Sequence, residues 1–458
     1  MNSLVLIILL VFLINELKCS YDDKIYFLTN FTENYTLNKS SLHYNFNNVK
    51  HNFSYKLNDN LYDDKIKIKT KPEKILFGNI KFLKNGTMLR NIPREDDTIK
   101  DNTFIKYSDY KSKDFESWPN FDFNNFTENN ISCEGFISII AFELDDEENI
   151  YILDEGNSNC PIMLYKFNSK GKNLENYTIY NNNSLNMLLT DLAIDIINDY
   201  AYISYSYISN KEIEIGFLSK NLDNPKEETK QIKISDNKLK YDEQYNIKND
   251  FIDKNFPNVK KKLISMTLSC DGDVLFFCPL LSRMIYSIST DKLRESKKES
   301  INKNDVNEGY KNDASPAMIS SNLGNLYLSA LEKNVIYFAG QIDNDFSIFD
   351  YRAIDEIMGV PNMGWPMKMS ITDGMLYIIC KNITTNEKDA NNFTLITTIY
   401  QASIDKEKSY IYKCAGLIYV WNNMSYFIWI LFILIVCFAL VFVFIGNQED
   451  KDINKKND

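Results

Sequence analysis

The stretch ISIIAFELDDEENIYILDEG, residues 137–156, decides the fold. Its two apolar runs, 137–144 and 150–154, are rich in β-branched and aromatic residues and too short for ordinary helices, and the acidic turn 145–149 separates them. That is the pattern of an antiparallel hairpin. With Phe142 set opposite Tyr151, the numbers of facing residues add to a constant, and the same sum sets Cys133 opposite Cys160. A Cys133–Cys160 bridge is therefore expected.

The theme repeats on both sides of this hairpin. Short runs recur at 74–77, 162–167, 192–197, 201–207, 264–268, 274–281, 284–289, 325–331, 335–339, 367–371, 375–380 and 395–402. Asp271-Gly272 and Asp373-Gly374 each stand directly before such a run, as tight turns between antiparallel strands require. Many short strands and few long amphipathic stretches predict an all-β chain. A six-bladed β-propeller over 74–415 fits best, since about 330 residues in six four-stranded blades gives about 55 per blade. A pair of β-sandwiches is the alternative. The charged segments 220–262 and 296–313 are expected to be surface loops. Residues 21–73, polar and without sustained periodicity, read as a lead-in.

Composition narrows the function. The chain has 458 residues, 44% apolar, with 51 basic against 62 acidic side chains and a net charge of −11. Nucleic acid is a poor partner for it, because phosphate neutralisation needs an excess of clustered Lys and Arg. The two histidines, His43 and His51, lie near the N-terminus, so a His-centred triad or a His-rich zinc site in the main body is excluded. Catalysis would have to use carboxylates, Tyr, Lys, Cys or hydroxyls.

Both ends carry membrane-related signals. The aliphatic run 4–13 followed by Cys19-Ser20 reads as a secretory signal peptide, residues 1–20. Residues 426–445 are apolar and uncharged, 20 in a row, enough at about 1.5 Å per residue to cross a hydrocarbon core of about 30 Å. One C-terminal transmembrane helix is expected there, with Trp421, Tyr426 and Trp429 at its outer boundary and 447–458 as a cytoplasmic tail. The topology is type I, in the plasma membrane or a vesicle membrane, with the ectodomain outside the cytosol. Twelve N-x-S/T sequons occur, and Asn85, Asn125, Asn130, Asn176, Asn182, Asn382 and Asn392 are the glycosylation candidates within the propeller.

Six cysteines remain between signal and span: Cys133, Cys160, Cys270, Cys278, Cys380 and Cys414. An even number in an exported chain points to disulfides. The Asp271-Gly272 turn sets Cys278 opposite Ser265, about five residues from Cys270 along the strand, so these two are too far apart to pair. Cys380 with Cys414 is a second candidate, tying the last blade together. No spacing suggests a metal site, and no cofactor is expected. Asp154 and Glu155, adjacent carboxylates at a strand end, are the ligand-binding candidates; the competing reading of Asp154 is a carboxylate that accepts from turn amides. Asp145-Asp146-Glu147-Glu148 reads as a solvated turn rather than a calcium site, and Asp195 as a turn buttress.

Cys133-Glu134-Gly135-Phe136, then 149–156 and Cys160-Pro161, resemble the major royal jelly protein and yellow family, in which a Cys-led strand precedes a "LWVLDxG" strand and a Cys-Pro. The likeness continues in order through Leu192-Ala193-Ile194-Asp195 with Ala201-Tyr202-Ile203, through 266–269, 275–280, 286–290 and Leu293-Arg294, to Trp365-Pro366-Met367 with 375–379. It spans roughly 130–415. The resemblance implies a six-bladed propeller, with members that bind small aromatic amines in a central channel and others linked to dopachrome conversion. The chain departs from the pattern at Tyr205, where the family has an acid, at Tyr337-Phe338 and at Ser329, so no amine-binding or catalytic residue is carried over. A binding or interaction module is expected, for a small aromatic or cationic ligand or a protein partner, with a dopachrome-conversion tautomerase as the alternative. A gluconolactonase-type metal hydrolase ranks last, since no carboxylate and amide cluster assembles from the spacing.

Overall fold

The computed structural model describes residues 63–68, 78–91, 94, 103–108, 115–124, 133–180, 187–209, 212–234, 264–280, 282–295, 300–301, 305–311, 313–339, 354–359, 365–372, 374–386, 389–404, 407–412 and 414. The predicted signal 1–20, span 426–445 and tail 447–458 lie outside them, as do the run 74–77 and the sequons at Asn125, Asn130 and Asn182. Among the described residues no helix is long and apolar enough to cross a membrane.

The described strands form six sheets in a six-bladed propeller, with Trp365–Thr372 as the inner strand of the sixth and the first strand in chain order as the inner one of the other five. Blade one is Ile80–Phe82, Met88–Asn91, Phe104–Tyr107 and Phe115–Ser117. Blade two is Ile139–Leu144, Ile150–Asp154, Ile162–Phe167 and Asn173–Tyr180. Blade three is Met187–Asp195, Tyr200–Ser209, Glu212–Asn221 and Lys230–Ile234, extended by the parallel pair Ser300–Ile301. Blade four is Ile264–Leu268, Val274–Pro279, Met284–Ser289 and Val306–Tyr310, and blade five is Met318–Ser320, Leu326–Ala330, Val335–Ala339 and Ile354–Gly359. Blade six takes Trp365–Thr372, Met375–Asn386 and Asp389–Ser403 from the C-terminal end and Asp63–Ile68 from the N-terminal end.

That last strand closes the ring. It pairs antiparallel with Asp389–Ser403, Lys65 facing Ile396, so opening the ring means breaking a ladder between distant parts of the chain. The propeller thus begins inside the expected lead-in, before residue 74. The expected loops 220–262 and 296–313 also contribute strands, Lys230–Ile234 and Val306–Tyr310. These are outer strands with one face toward solvent, which is why their sequences are polar.

Apolar layers between blades hold the ring together. Tyr377, Ile379 and Ile399 of blade six pack on Ile80, Phe82 and Tyr107 of blade one, with the Phe82 and Tyr377 rings stacked at 4.0 Å. Val274, Phe276 and Cys278 of blade four meet Leu326, Leu328 and Tyr337 of blade five. Each large apolar side chain so buried contributes about 1.5–3 kcal/mol.

Cys278 faces Ser265, as the Asp271-Gly272 turn requires, and Gly272 has φ +76° in that turn. In blade two Phe142 faces Ile152 and Tyr151 faces Glu143, one position off the expectation. A bulge between Ile139 and Ala141 restores the expected sum, so that Ile139 faces Asp154 and Cys133 reaches Cys160, bridged at a Cα separation of 5.5 Å. The other bridge joins Cys414 to Cys270, not to Cys380, with Cα atoms 5.1 Å apart. The physical reason is the path of the chain: after its last strand it turns across the mouth of the ring instead of running back along blade six. Cys380 is unbridged and fully buried in the layer between blades five and six, and Cys278 is likewise unbridged and buried.

Candidate functional site

Toward the axis of the ring, two ion pairs join charges set into mostly apolar inner strands. Glu143 in IIAFEL of blade two receives the Lys81 ammonium of blade one at 2.7 Å, and the two side chains are 7% and 6% exposed. Asp191 in LLTDLAI of blade three receives the Lys368 ammonium of blade six. Both members of this second pair stand at register shifts, between Leu189 and Asp191 and between Pro366 and Lys368. Bulges re-aim side chains, here toward each other across the axis.

Backbone amides and hydroxyls occupy the remaining lone pairs. Asp191 also accepts from Met266 N of blade four at 3.1 Å and from Leu192 N at 2.9 Å. Glu143 accepts from Leu144 N at 3.0 Å and from the Tyr410 hydroxyl at 3.4 Å. Thr267 and Ser320 join blades four and five through a hydroxyl contact of 3.1 Å. Burial, with Glu143 next, raises the Tyr410 phenol well above its ordinary range, so it stays a neutral donor. Each of the two axial carboxylates thus carries an ammonium of the chain itself.

Ile404, residues 407–412 and Cys414 form a cap over one mouth, built on the turns that follow the inner strands. Gly374 N of blade six donates to Glu407 O. From blade five, Asn325 Nδ2 donates to Glu407 Oε1 at 2.9 Å, Asn322 exchanges hydrogen bonds with Lys408, and Ser321 forms a bridge with Ser409. Tyr410 hydroxyl accepts from Ile194 N of blade three at 3.3 Å and donates to Glu143 of blade two. Lys84 of blade one stands over the Tyr412 ring, and Cys414 is bonded to Cys270 of blade four. One short segment thus engages all six blades. Between the cap and the turns of blades three and four lies only a small solvent-open dimple, of about 10 Å³, lined by Asp195, Cys270, Gly272, Tyr410 and Ile411 among others.

The sequence-predicted candidates lie elsewhere. Asp154, 1% exposed, sits where the second strand of blade two ends, and its carboxylate accepts from Ile137 N and Ser138 N at 2.8 Å and from Gly156 N at 3.2 Å. Burial pushes its carboxyl up to about 6 against the pull of those amides. It pins the entry of the first strand to the exit of the second. Gly156 beside it has φ +61°, and a Cβ there would overlap the carbonyls of Cys160 and Pro161, so glycine is required. Glu155 is half-buried, and its N–H donates to Ser138 O.

Asp145 accepts from Glu147 N and Asn149 N within its own turn. Asp195 does the same with Ile197 N and Asn198 N, and pairs with Arg294 at 3.2 Å. Burial raises both of these carboxyls. Among the described residues no group of acids, His and Cys could hold a metal. The departure at Tyr205 is matched within blade three: Tyr205 faces Gly216 across the ladder, where a Cβ would collide with the phenol. Of the glycosylation candidates, Asn85 is exposed in a hairpin turn and Asn176 is exposed on the outer strand of blade two, while Asn382 and Asn392 lie on the paired strands of blade six.

A search of curated proteins finds no match. Among solved structures the chain is similar to a luciferin-regenerating enzyme, at 11% identity and TM-score 0.42, covering 78% of this chain and 99% of that one. It is also similar to a putative gluconolactonase, at 9% identity and TM-score 0.39, covering 78% and 93%. A third is a calcium-binding protein, regucalcin, from Agrobacterium tumefaciens strain C58, at 11% identity and TM-score 0.37, covering 75% and 96%. The family model for major royal jelly protein matches residues 137–406, more than half of the chain and nearly all of blades two to six. The order of short motifs, the six-sheet ring and this match agree: the chain belongs to the major royal jelly protein family.

Proposed function

We propose that this protein is a membrane-anchored binding module whose propeller stands outside the cytosol and engages a protein partner with its outer surfaces. The observation that carries the reading is the axis, where Lys81 and Lys368 stand on the two carboxylates that a cationic ligand would need. Asp154, the best acid or base candidate, is held by three backbone amides. Two disulfides support an oxidising compartment. The apolar run 426–445 supports anchoring by a single span.

The test has two arms. On intact cells expressing the full chain, a membrane-impermeant biotin reagent is expected to label the propeller. The purified chain is expected to convert dopachrome no faster than heat-denatured protein. A propeller unlabelled until cells are permeabilised would overturn the topology. Turnover lost on Asp154→Asn, with the melting temperature unchanged, would overturn the binding-module reading in favour of a tautomerase.

A further inference from the structure

We propose that the capped mouth of the propeller faces the bilayer, with the opposite mouth, lined by the turns between second and third strands, pointing away from it. The inference rests on the single-span reading above and adds a direction to it. Every inner strand ends at the capped mouth: the turns at 83–87, 145–149, 196–199, 269–273 and 321–325 and Gly374 are the ones the cap, or a turn next to it, touches. The cap ends at Cys414, which is bonded to Cys270 in one of those turns. The chain therefore leaves the ring from a fixed point on this mouth.

Only eleven residues, 415–425, separate that point from the apolar run 426–445. Fully extended they span at most about 40 Å. The inner strand of blade two, six residues long, makes the ring about 20 Å thick at the axis. A ring of roughly 350 residues has a radius of gyration of about 20 Å. A linker leaving the capped mouth would exhaust its length in passing outward over the rim and back across that thickness, leaving nothing to reach an opposite mouth pressed on the lipid. With the capped mouth toward the membrane, the same linker is slack.

The opposite mouth is the side where inner strands begin. There Asp154 holds Ile137 and Ser138, Asn91 Nδ2 donates to Ile139 O at 2.8 Å, and the Cys133–Cys160 bridge fixes the loop after Asp154. This is a braced rim rather than a loose one, so a probe placed there reports a fixed distance from the lipid. The exposed turn Glu332-Lys333 projects on this side.

The experiment uses the full chain in lipid nanodiscs that carry an energy-transfer acceptor on their headgroups. A donor dye is attached through a clickable amino acid at Asn85, in the exposed turn on the capped side, or at Glu332, in the exposed turn on the other. The expected result is several-fold more efficient transfer from position 85 than from 332, and a narrowing of that difference in the Cys414→Ser chain, which frees the cap without touching the span. Equal transfer from the two positions, or more from 332, would overturn the orientation. Failure of the chain to float with lipid in a density gradient would instead overturn the anchor itself, so the two failures are told apart.

Discussion

Replacing Lys81 by methionine is expected to cost about 3–5 kcal/mol of folding stability, among the largest single-residue effects in the molecule. The magnitude follows from what is left behind. Glu143, its carboxylate 7% exposed, loses an ammonium at 2.7 Å and, among the described residues, keeps its own strand's Leu144 N and a long contact from Tyr410. A buried carboxylate without its counter-ion must stay charged at high cost or take up a proton. The double variant Lys81→Met with Glu143→Met removes both charges, and its stability is expected to return to within about 1 kcal/mol of the wild type or to exceed it. Denaturant unfolding of the four proteins of the cycle measures this. A single-variant loss below about 1 kcal/mol would mean that the pair is solvated and the axis is open.

Removing the cap's covalent anchor, Cys414→Ser, is expected to cost about 2–5 kcal/mol. The bridge closes a loop with a sequence separation of 144 residues, and cross-links across long loops restrict the unfolded chain most. The loss has a location as well as a size. Without the bridge, the cap keeps its hydrogen bonds to blades five and six, the Tyr410 hydroxyl contacts and the Lys84–Tyr412 contact, which are all non-covalent and open locally at lower free energy than the blades. Lys408 is already exposed. Trypsin is therefore expected to cut after Lys408 at least tenfold faster in Cys414→Ser than in the wild type, while the blades stay intact. Unchanged cleavage would show that the cap is held without its disulfide.

The fold was legible where the sequence states strands in the language of burial. Inner and second strands, such as ISMTL at Ile264–Leu268 and IYILD at Ile150–Asp154, are buried on both faces and read as continuous apolar runs. Outer strands were missed because they are half-solvated: KQIKI at Lys230–Ile234 and VNEGY at Val306–Tyr310 carry little apolar periodicity. Asp63–Ile68 resembles a lead-in for a different reason, since its partner lies more than 300 residues away and no local pattern announces a ring closure.

The Cys270–Cys414 pairing escaped for the same non-local reason. Register arithmetic could rule out Cys270 with Cys278, but it could not foresee a segment crossing six blades. The axial charges did leave a signal. Lys81, Glu143, Asp191 and Lys368 are each flanked closely by apolar residues inside a strand that the fold buries. A charge so placed almost always has a partner, and four of them from four strands define an axis. Asp154 and Glu155 stood out because two carboxylates at a motif end are conspicuous in sequence, yet the amides that occupy Asp154 belong to backbone that a sequence pattern does not display.

The proposed binding-module reading requires that Lys81 and Lys368 close the propeller's axis to cationic ligands. It is tested most directly by calorimetric titration of the purified chain with an aromatic amine such as tyramine. The account predicts no saturable heat up to millimolar amine. Saturable micromolar binding that is lost on Glu143→Gln or Asp191→Asn would contradict it.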